Sequence, residues 1–296
     1  MSRDEIRSIR EMLAAYPWGP ETPITTMRTL MDQFSVFFPL PEGVRVEAVD
    51  AGGVPAERLR APGAADDAAL LYLHGGGYAL GSPTSHRHLA AALSAACSAS
   101  VLCLQYRLAP EDPFPAAVED AVRGYQWLLA QAIPAGRIAV AGDSAGGGLT
   151  VAAFVALRDQ GDRLPAAGIC LSPWVDLTCT GGSQESKRYR DPIVSRENLL
   201  RYGSLYLGDR DAKTPLASPL FADLAKLPPL LIQVGSDEVL LDDAVRLDRR
   251  ARDAGVESTL EIWEGMIHVW HAFHPMLEEG REAMARIGSY FRSHMC

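Results

Sequence analysis

The stretch Gly142-Asp-Ser-Ala-Gly-Gly-Gly148 places a serine, Ser144, in the middle of a glycine-rich turn. The apolar run before it, at residues 137–141, predicts a strand, and residues 149–158 after it predict a helix. A strand, a sharp turn and a helix in this order are the setting that a nucleophile elbow requires. The glycines leave room for the turn, because side chains there would collide with the neighbouring backbone. The stretch therefore predicts a nucleophilic serine, which needs a base, an acid and an oxyanion site elsewhere in the chain.

Strand-like apolar runs alternate with helical segments over most of the 296 residues. A hairpin is predicted at about residues 44–60, and the alternation continues to a final helix at about 271–294. This order indicates an α/β fold, with a mostly parallel central sheet and helices on both faces. Two pieces stand outside the alternation: residues 1–40, with two amphipathic helices, and an irregular insertion at about 176–216. We expect one catalytic domain over residues 41–296 and a helical cap built from these two pieces.

Composition narrows the class of protein. The formal net charge of −9 argues against nucleic acid as a partner, and no basic cluster offsets it. The five cysteines are odd in number and contain no C-x-x-C pair, which fits a reducing compartment. Four of the first seven residues are charged, so the start of the chain lacks the apolar segment of a signal peptide. No apolar run is long enough to predict a membrane span. We expect a cytoplasmic protein.

The acid should follow the serine along the chain, on a loop after a strand. The predicted strand at residues 230–234 is followed by Gly-Ser-Asp-Glu, so Asp237 lies just past the strand end and is the preferred acid. Glu238 and Asp242 remain alternatives. Asp242 falls where the next helix is expected to begin, a position typical of capping and first-turn acids.

The base should come last in the order, on the loop after the final strand. His268 occupies that loop and is the preferred base, because it can take the proton of the serine hydroxyl there. The other histidines fit less well, since His74, His86 and His88 precede the serine, His271 and His274 are expected on the final helix, and His294 lies near the C-terminus.

An oxyanion needs preorganised N–H donors, each worth about 3 kcal/mol in the transition state. One should be the N–H of Ala145, the residue after the nucleophile. The others should come from the run His74-Gly-Gly-Gly-Tyr78 after the third strand. Gly76 and Gly77 are the preferred donors and Gly75 is a further candidate. His74 is expected to brace this loop rather than transfer protons.

The glycine-rich loop at residues 75–81 also has some features of a dinucleotide-binding site. Gly75-x-Gly77-x-x-x-Gly81 follows a strand, but position 80 is Leu, so the spacing of G-x-G-x-x-G is not met. No G-x-x-x-x-G-K-[ST] run occurs, and no histidine and carboxylate cluster has convincing metal-ligand spacing. We therefore predict neither a cofactor nor a metal.

Together these motifs resemble the bacterial hormone-sensitive-lipase-like carboxylesterases, which have the α/β-hydrolase fold. The resemblance spans residues 74–268 and rests on five short runs: His74-Gly-Gly-Gly-Tyr78, Tyr106-Arg-Leu-Ala-Pro-Glu111, Gly142-Asp-Ser-Ala-Gly-Gly147, Ser172-Pro-Trp-Val-Asp176 and Gly265-Met-Ile-His268. One departure is that the family often carries Asp-Pro-Leu at the acid, whereas this chain has Asp237-Glu-Val239. Without the proline, Glu238 competes for the role.

The resemblance implies hydrolysis of short-to-medium acyl esters through Ser144, with His268 as base, Asp237 as its orienter and no cofactor. The partner is then a small-molecule ester, and because family members are often dimers, a homodimer is an expectation from the resemblance alone. Hydrolysis of a lactone, of the monoterpene ε-lactone type, or of an amide by the same triad are alternatives. A remote alternative is a binding protein that keeps the fold without catalysis.

Overall fold

One eight-stranded sheet runs through the computed structural model, which describes residues 3–15 and 22–296. The strand order is β1-β2-β4-β3-β5-β6-β7-β8, with β1, β2 and β4 paired antiparallel and all later pairs parallel. The strands are β1 Arg45–Asp50, β2 Pro55–Arg60, β3 Ala65–Leu73, β4 Ala99–Leu104, β5 Ile138–Asp143, β6 Ala167–Leu171, β7 Leu230–Gly235 and β8 Ser258–Trp263. The predicted hairpin and mostly parallel sheet are thus confirmed.

Helices fill the connections between the parallel strands. The α-helices are α1 Arg3–Ala14, α2 Ile24–Phe34, α3 Pro83–Cys97, α4 Ala116–Ala130, α5 Ala145–Gln160, α6 Ser183–Ser186, α7 Arg196–Leu207, α8 Leu241–Asp253 and α9 Glu278–His294. Short 3₁₀ turns occur at Ser35–Phe37, Ala135–Arg137, Pro219–Phe221 and Trp270–Phe273.

Both faces of the central strands are buried. In β3, Leu71 and Leu73 pack into one hydrophobic cluster, whereas Leu70 and Tyr72 pack into another. Side chains of a strand alternate between its two faces, so the two clusters lie on opposite sides of the sheet. Helices α4, α5 and α8 contribute to the first cluster, and α3 and α9 to the second. This double cover explains the continuous apolar runs in the sequence.

The final helix begins later than the sequence predicts. His271 and His274 were expected to lie on it, but α9 starts only at Glu278. His271 belongs to the 3₁₀ turn that follows the loop of His268, and Pro275 separates this turn from α9. Proline lacks the N–H that a continuous helix would need and restricts the residue before it, so the two helical pieces cannot merge there.

We expect residues 1–40 and 176–216 to form the cap. The first piece contains α1 and α2, and the second contains α6 and α7. Residues 1, 2 and 16–21 of the first piece lie outside the described part of the chain. Helix α1 buries Ile6 and Ile9 against the loop around Trp270. Helix α2 buries Met27 in the main core. Among the helices in the described ranges, none is long and apolar enough to cross a bilayer.

Candidate active site

Ser144 stands at the sharp turn between β5 and α5. Its backbone has φ 53° and ψ −119°, a conformation that costs of order 1–3 kcal/mol for a residue with a side chain. Surrounding hydrogen bonds hold it there: the Ser144 N–H donates to the Leu171 carbonyl at 2.8 Å, and its own carbonyl accepts from the Trp174 N–H at 2.9 Å. The elbow therefore has the strained geometry expected of a nucleophile turn.

The elbow glycines leave room for the turn, as the sequence predicts, and for close packing of α5. A Cβ atom on Gly146 would collide with the Leu73 carbonyl, and one on Gly142 would collide with the Gly146 carbonyl, so both positions require glycine for the turn itself. A Cβ atom on Gly148 would instead meet the Trp174 carbonyl, which packs on α5. The close approach of backbone to backbone around Ser144 depends on these missing side chains.

His268 is hydrogen-bonded to Glu238. The His268 Nδ1 atom lies 2.7 Å from Glu238 Oε2, and both side chains are buried. The other carboxylate oxygen, Oε1, accepts the Ser172 hydroxyl at 2.9 Å and the Gly235 N–H at 2.6 Å. The Ser172 hydroxyl also accepts the Val269 N–H at 3.1 Å, so it joins the acid to the histidine loop. Glu238 is thus held on both oxygens and aligned with one ring nitrogen of His268.

The choice of Asp237 as the partner of His268 is wrong. Its carboxylate points away, to Arg10 at 2.9 Å and to Arg190 at 3.1 Å. The chain turns sharply after β7, and the Asp237 N–H donates to the Met266 carbonyl, so adjacent side chains leave the loop in different directions. The sequence pattern located the loop correctly but could not decide between neighbouring acids. The missing proline was the one signal that favoured Glu238.

Asp242 is also unavailable to the histidine. It lies in the first turn of α8, as predicted, and its Oδ2 accepts the Ser183 N–H at 2.9 Å. Its neighbour Asp243 accepts the N–H groups of Val175 and Asp176, each at 2.9 Å. Both acids thus join α8 to the chain between β6 and α7.

Several charges act on His268. Burial lowers the pKa of His268, but the hydrogen bond and the charge of Glu238 outweigh it, and Asp191 and Asp143 add to their effect. The net result is that the pKa of His268 is raised above its ordinary value. A carboxylate on Nδ1 stabilises the imidazolium that forms when the ring accepts a proton. The pair can therefore serve as a base whose conjugate acid is stabilised.

Gly75 does not serve as an oxyanion donor, contrary to expectation. Its N–H donates to Asp143 Oδ1 at 2.9 Å, so it has no hydrogen left for a substrate. Gly76 and Gly77 line the cavity in front of Ser144. Within residues 3–15 and 22–296, their N–H groups and that of Ala145 find no protein acceptor. Gly76 and Gly77 in the cavity wall, and Ala145 next to Ser144 in the chain, therefore have N–H groups available as hydrogen-bond donors.

A buried hydrogen-bond network holds residues 74–78, which we call the oxyanion loop. Besides the Gly75 N–H, Asp143 Oδ1 accepts the Tyr72 hydroxyl at 2.5 Å, and Asp143 Oδ2 lies 3.5 Å from His86 Nε2. Burial raises the pKa of Asp143, but His86 and the Tyr72 hydroxyl outweigh it and bring the pKa to about 2. His74 Nδ1 lies 2.8 Å from the Gly75 carbonyl, which confirms its bracing role. The sequence did not predict that Asp143 and His86 would meet.

A cavity of about 510 Å³ opens in front of Ser144 and His268. Its apolar wall comes from the two pieces expected to form the cap, residues 1–40 and 176–216, with Leu13, Met27, Met31, Phe34, Ile193 and Leu199 among its members. Tyr202 also lines it, and Asp191 is an acidic group at its wall. Phe37, a residue that is 71% exposed, lies outside this wall. Tyr206 is buried instead against Tyr78, with ring centroids 3.9 Å apart.

The side chains around the cavity bear on metal and cofactor binding. Among the described residues, no group of three or more histidine, cysteine or acidic side chains is arranged to hold a metal ion. The glycine loop at residues 75–77 faces the cavity of Ser144 and is braced by Asp143. The groups that converge on the cavity are therefore a hydroxyl, an imidazole and backbone N–H donors, a set suited to acyl transfer.

The chain is similar to known proteins over most of its length. Residues 70–272 match a family described by the alpha/beta hydrolase fold. An acetyl-hydrolase of Streptomyces hygroscopicus is 53% identical over 247 residues, 83% of this chain and 82% of that protein. An esterase of Acinetobacter venetianus is 35% identical over 268 residues, 90% of this chain and 88% of that protein. The crystal structure of an esterase from the bacterial hormone-sensitive lipase family is 48% identical, with a TM-score of 0.97 and 100% of both chains covered.

Proposed function

We propose a mechanism for a chain that belongs to the α/β-hydrolase family, in its bacterial hormone-sensitive lipase group, and that is a carboxylic ester hydrolase. Ser144 is the nucleophile, His268 the base and Glu238 the acid that orients it. The substrates are short-to-medium acyl esters. The observation that carries the proposal is the 2.7 Å contact between His268 and the buried Glu238, on the wall of the cavity that Ser144 lines.

In the first step, the Ser144 oxygen attacks the ester carbonyl while His268 takes the hydroxyl proton. The tetrahedral oxyanion is stabilised by the N–H groups of Gly76, Gly77 and Ala145. These donors are preorganised, so they need no reorientation when the negative charge develops. Collapse of this intermediate expels the alcohol, which receives its proton from His268, and leaves the acyl group on Ser144.

In the second step, water replaces the alcohol. His268 takes a proton from the water as it attacks the acyl-enzyme, and the same donors hold the second oxyanion. Ser144 then leaves with the proton returned from His268, and the carboxylic acid is released. Throughout both steps Glu238 keeps the ring oriented and balances its positive charge.

Replacing the nucleophile tests the proposal directly. We expect Ser144→Ala to lower kcat for p-nitrophenyl butyrate by about 10⁴-fold or more, since removing one triad member removes nucleophilic catalysis. Ser289→Ala, which removes a hydroxyl from the exposed face of α9, is the matched control and should keep the parent rate. If Ser144→Ala folds normally and retains a tenth of the parent activity, the assignment is wrong.

The size of the cavity supports short acyl chains. A volume of about 510 Å³ lies in the usual range for a small-molecule site, and Met27, Met31 and Phe34 of α2 form part of its wall. We expect kcat/KM to fall steadily along a series of p-nitrophenyl esters from butyrate to palmitate. A maximum at palmitate would contradict this preference without affecting the assignment of Ser144.

A further inference from the structure

The residues on both sides of Glu238 are held by the insertion at 176–216. Before it, Asp237 pairs with Arg190 at 3.1 Å. After it, the Val239 N–H donates to Asp191 Oδ2 at 3.0 Å, and the Val239 carbonyl accepts the Ser183 hydroxyl at 2.6 Å. Glu238 thus lies between two residues, Asp237 and Val239, that are both held by contacts with the insertion.

Asp191 connects the insertion to residues 236–240, the loop that carries Glu238 and is called the acid loop below. Its Oδ1 accepts the N–H groups of Ile193 and Val194, each at 2.9 Å, which fixes the carboxylate to the cap's own turn. That leaves Oδ2 for the Val239 N–H of the acid loop. Because each oxygen has a separate task, the carboxylate connects two segments that are 48 residues apart in the chain.

Arg190 acts from the opposite side. Its guanidinium pairs with Asp237, and its carbonyl accepts a hydrogen bond from Arg10 of α1 at 2.6 Å. Arg10 pairs with the same carboxylate at 2.9 Å, so both pieces of the cap meet at Asp237. This explains what Asp237 does in place of the catalytic role expected for it.

We infer that Arg190 and Asp191 are positioning residues for Glu238, which hold the acid loop in the register that brings its carboxylate to His268. The inference rests on the proposed function, since it concerns the acid of that triad. The cap is then more than a wall of the substrate cavity. Glu238 reaches His268 only when Arg190 contacts Asp237 and Asp191 contacts Val239.

A positioning role and a substrate-binding role predict different kinetics. Asp191 lines the cavity, so a contact with substrate would appear mainly in KM. A displaced Glu238 instead weakens transition-state stabilisation and appears in kcat, since small misplacements of catalytic groups can cost about 10²-fold. Simple loss of folded enzyme is removed by expressing kcat per Ser144 labelled with an organophosphonate.

The first experiment replaces the carboxylate by an amide of the same size. The asparagine of Asp191→Asn has one acceptor oxygen in place of two. If that oxygen keeps the hydrogen bonds to the Ile193 and Val194 N–H groups, the amide NH₂ group faces the Val239 N–H and cannot accept from it. We expect kcat per labelled site to fall about tenfold or more, with KM changed less than about twofold. Asp211→Asn is the matched control, because Asp211 accepts the Lys213 N–H in a turn of the same insertion at an exposed position.

Equal kcat in Asp191→Asn and Asp211→Asn would overturn the inference, as would a loss confined to KM. If Asp191→Asn fails to fold, the milder Arg190→Gln decides the matter, since the Arg190 side chain is 62% exposed. We expect Arg190→Gln to lower kcat about two- to threefold, the scale of a partly exposed ion pair. Arg249→Gln, which breaks an exposed pair with Asp253 on α8, should leave kcat unchanged.

A double-mutant cycle tests the route of the effect. If Arg190 acts through Asp237, then Arg190→Gln should have no further effect on kcat in an Asp237→Asn background. Equal effects in both backgrounds would contradict this route. The proposed function fails separately: in that case Ser144→Ala would remain active, whereas a failure of the inference leaves Ser144→Ala inactive and the positioning variants at the rate of their controls.

Discussion

At the scale of single residues, the site is decided by two neighbouring acids whose tasks differ. The Glu238 carboxylate is hydrogen-bonded to His268, and the Asp237 carboxylate pairs with Arg10 and Arg190. Both are acidic, both follow the same strand and both fit the required order along the chain. Only the direction in which each side chain leaves the loop separates a catalytic carboxylate from a structural one.

This division of tasks can be measured by removing one charge at a time. We expect Glu238→Gln to lower kcat by about 10³- to 10⁴-fold, because an amide neither fixes the correct tautomer of His268 nor stabilises the imidazolium. Asp237→Asn should cost only about two- to threefold, as for a partly exposed ion pair. Steady-state kinetics with p-nitrophenyl butyrate give both values, and a larger loss for Asp237→Asn would restore Asp237 as the acid.

At the scale of elements, helix α7 of the cap is packed directly on the oxyanion loop. A Cβ atom on Gly77 would lie 2.7 Å from the Tyr202 ring, and Gly77 itself has φ +63°. One turn further along α7, Tyr206 stacks on Tyr78 with an interplanar angle of 5°. The loop therefore takes its shape from contacts with the cap on one side and from Asp143 on the other.

Gly77→Ala tests the contact between these two elements. We expect it to lower kcat by about 10²-fold, on the scale of losing one oxyanion donor, because the added methyl group pushes the loop away from Tyr202. Gly63→Ala is the matched control: Gly63 has φ +79° but nothing within 4 Å of an added Cβ atom. It should lose about 1 kcal/mol of stability from backbone strain and no activity.

A decrease in Tm without a decrease in kcat for Gly77→Ala would show that the loop tolerates the methyl group. In that case the contact with Tyr202 would not set the position of the Gly77 N–H. Equal losses of kcat in both variants would point to global destabilisation as the cause. The comparison thus separates the steric effect at the site from the effect of a positive φ alone.

At the scale of the whole molecule, several histidines are buried as neutral rings. Burial lowers the pKa of His74 and His271 to about 3 and that of His88 to about 4. In the unfolded chain a histidine has its ordinary pKa of about 6.5. Below that pH the unfolded state binds protons that the folded state excludes, so these groups reduce the free energy of unfolding as the pH falls.

His271→Gln should make this pH dependence less steep. The His271 Nε2 atom lies 2.9 Å from Gln233 Oε1, and a glutamine can supply a donor at the same place without titrating. We expect the slope of the free energy of unfolding against pH, between about pH 6 and 4.5, to decrease by about 1.4 kcal/mol per pH unit, the value for one proton. Urea titrations at several pH values measure this slope, and an unchanged slope would contradict a neutral buried His271.

Much of this molecule could be predicted because the signals are local. The strand before the elbow is predicted by a short apolar run, and the elbow by glycines whose positions leave no room for a side chain. The order of nucleophile, acid and base follows from the order of strands in a parallel sheet. The final helix was placed too early because the histidines before Pro275 continue a helical pattern that the proline interrupts.

By itself, the sequence determined the α/β fold and the turn that carries Ser144, and it predicts the loops of the acid and the base and the donors at Gly76 and Gly77. Tertiary structure alone decided that Glu238 rather than Asp237 meets His268, and that Gly75 is taken by Asp143. The physical reason is that these choices depend on the direction of a side chain or an N–H bond. That direction is set by partners such as Arg10 and Asp191, which are far away in the chain.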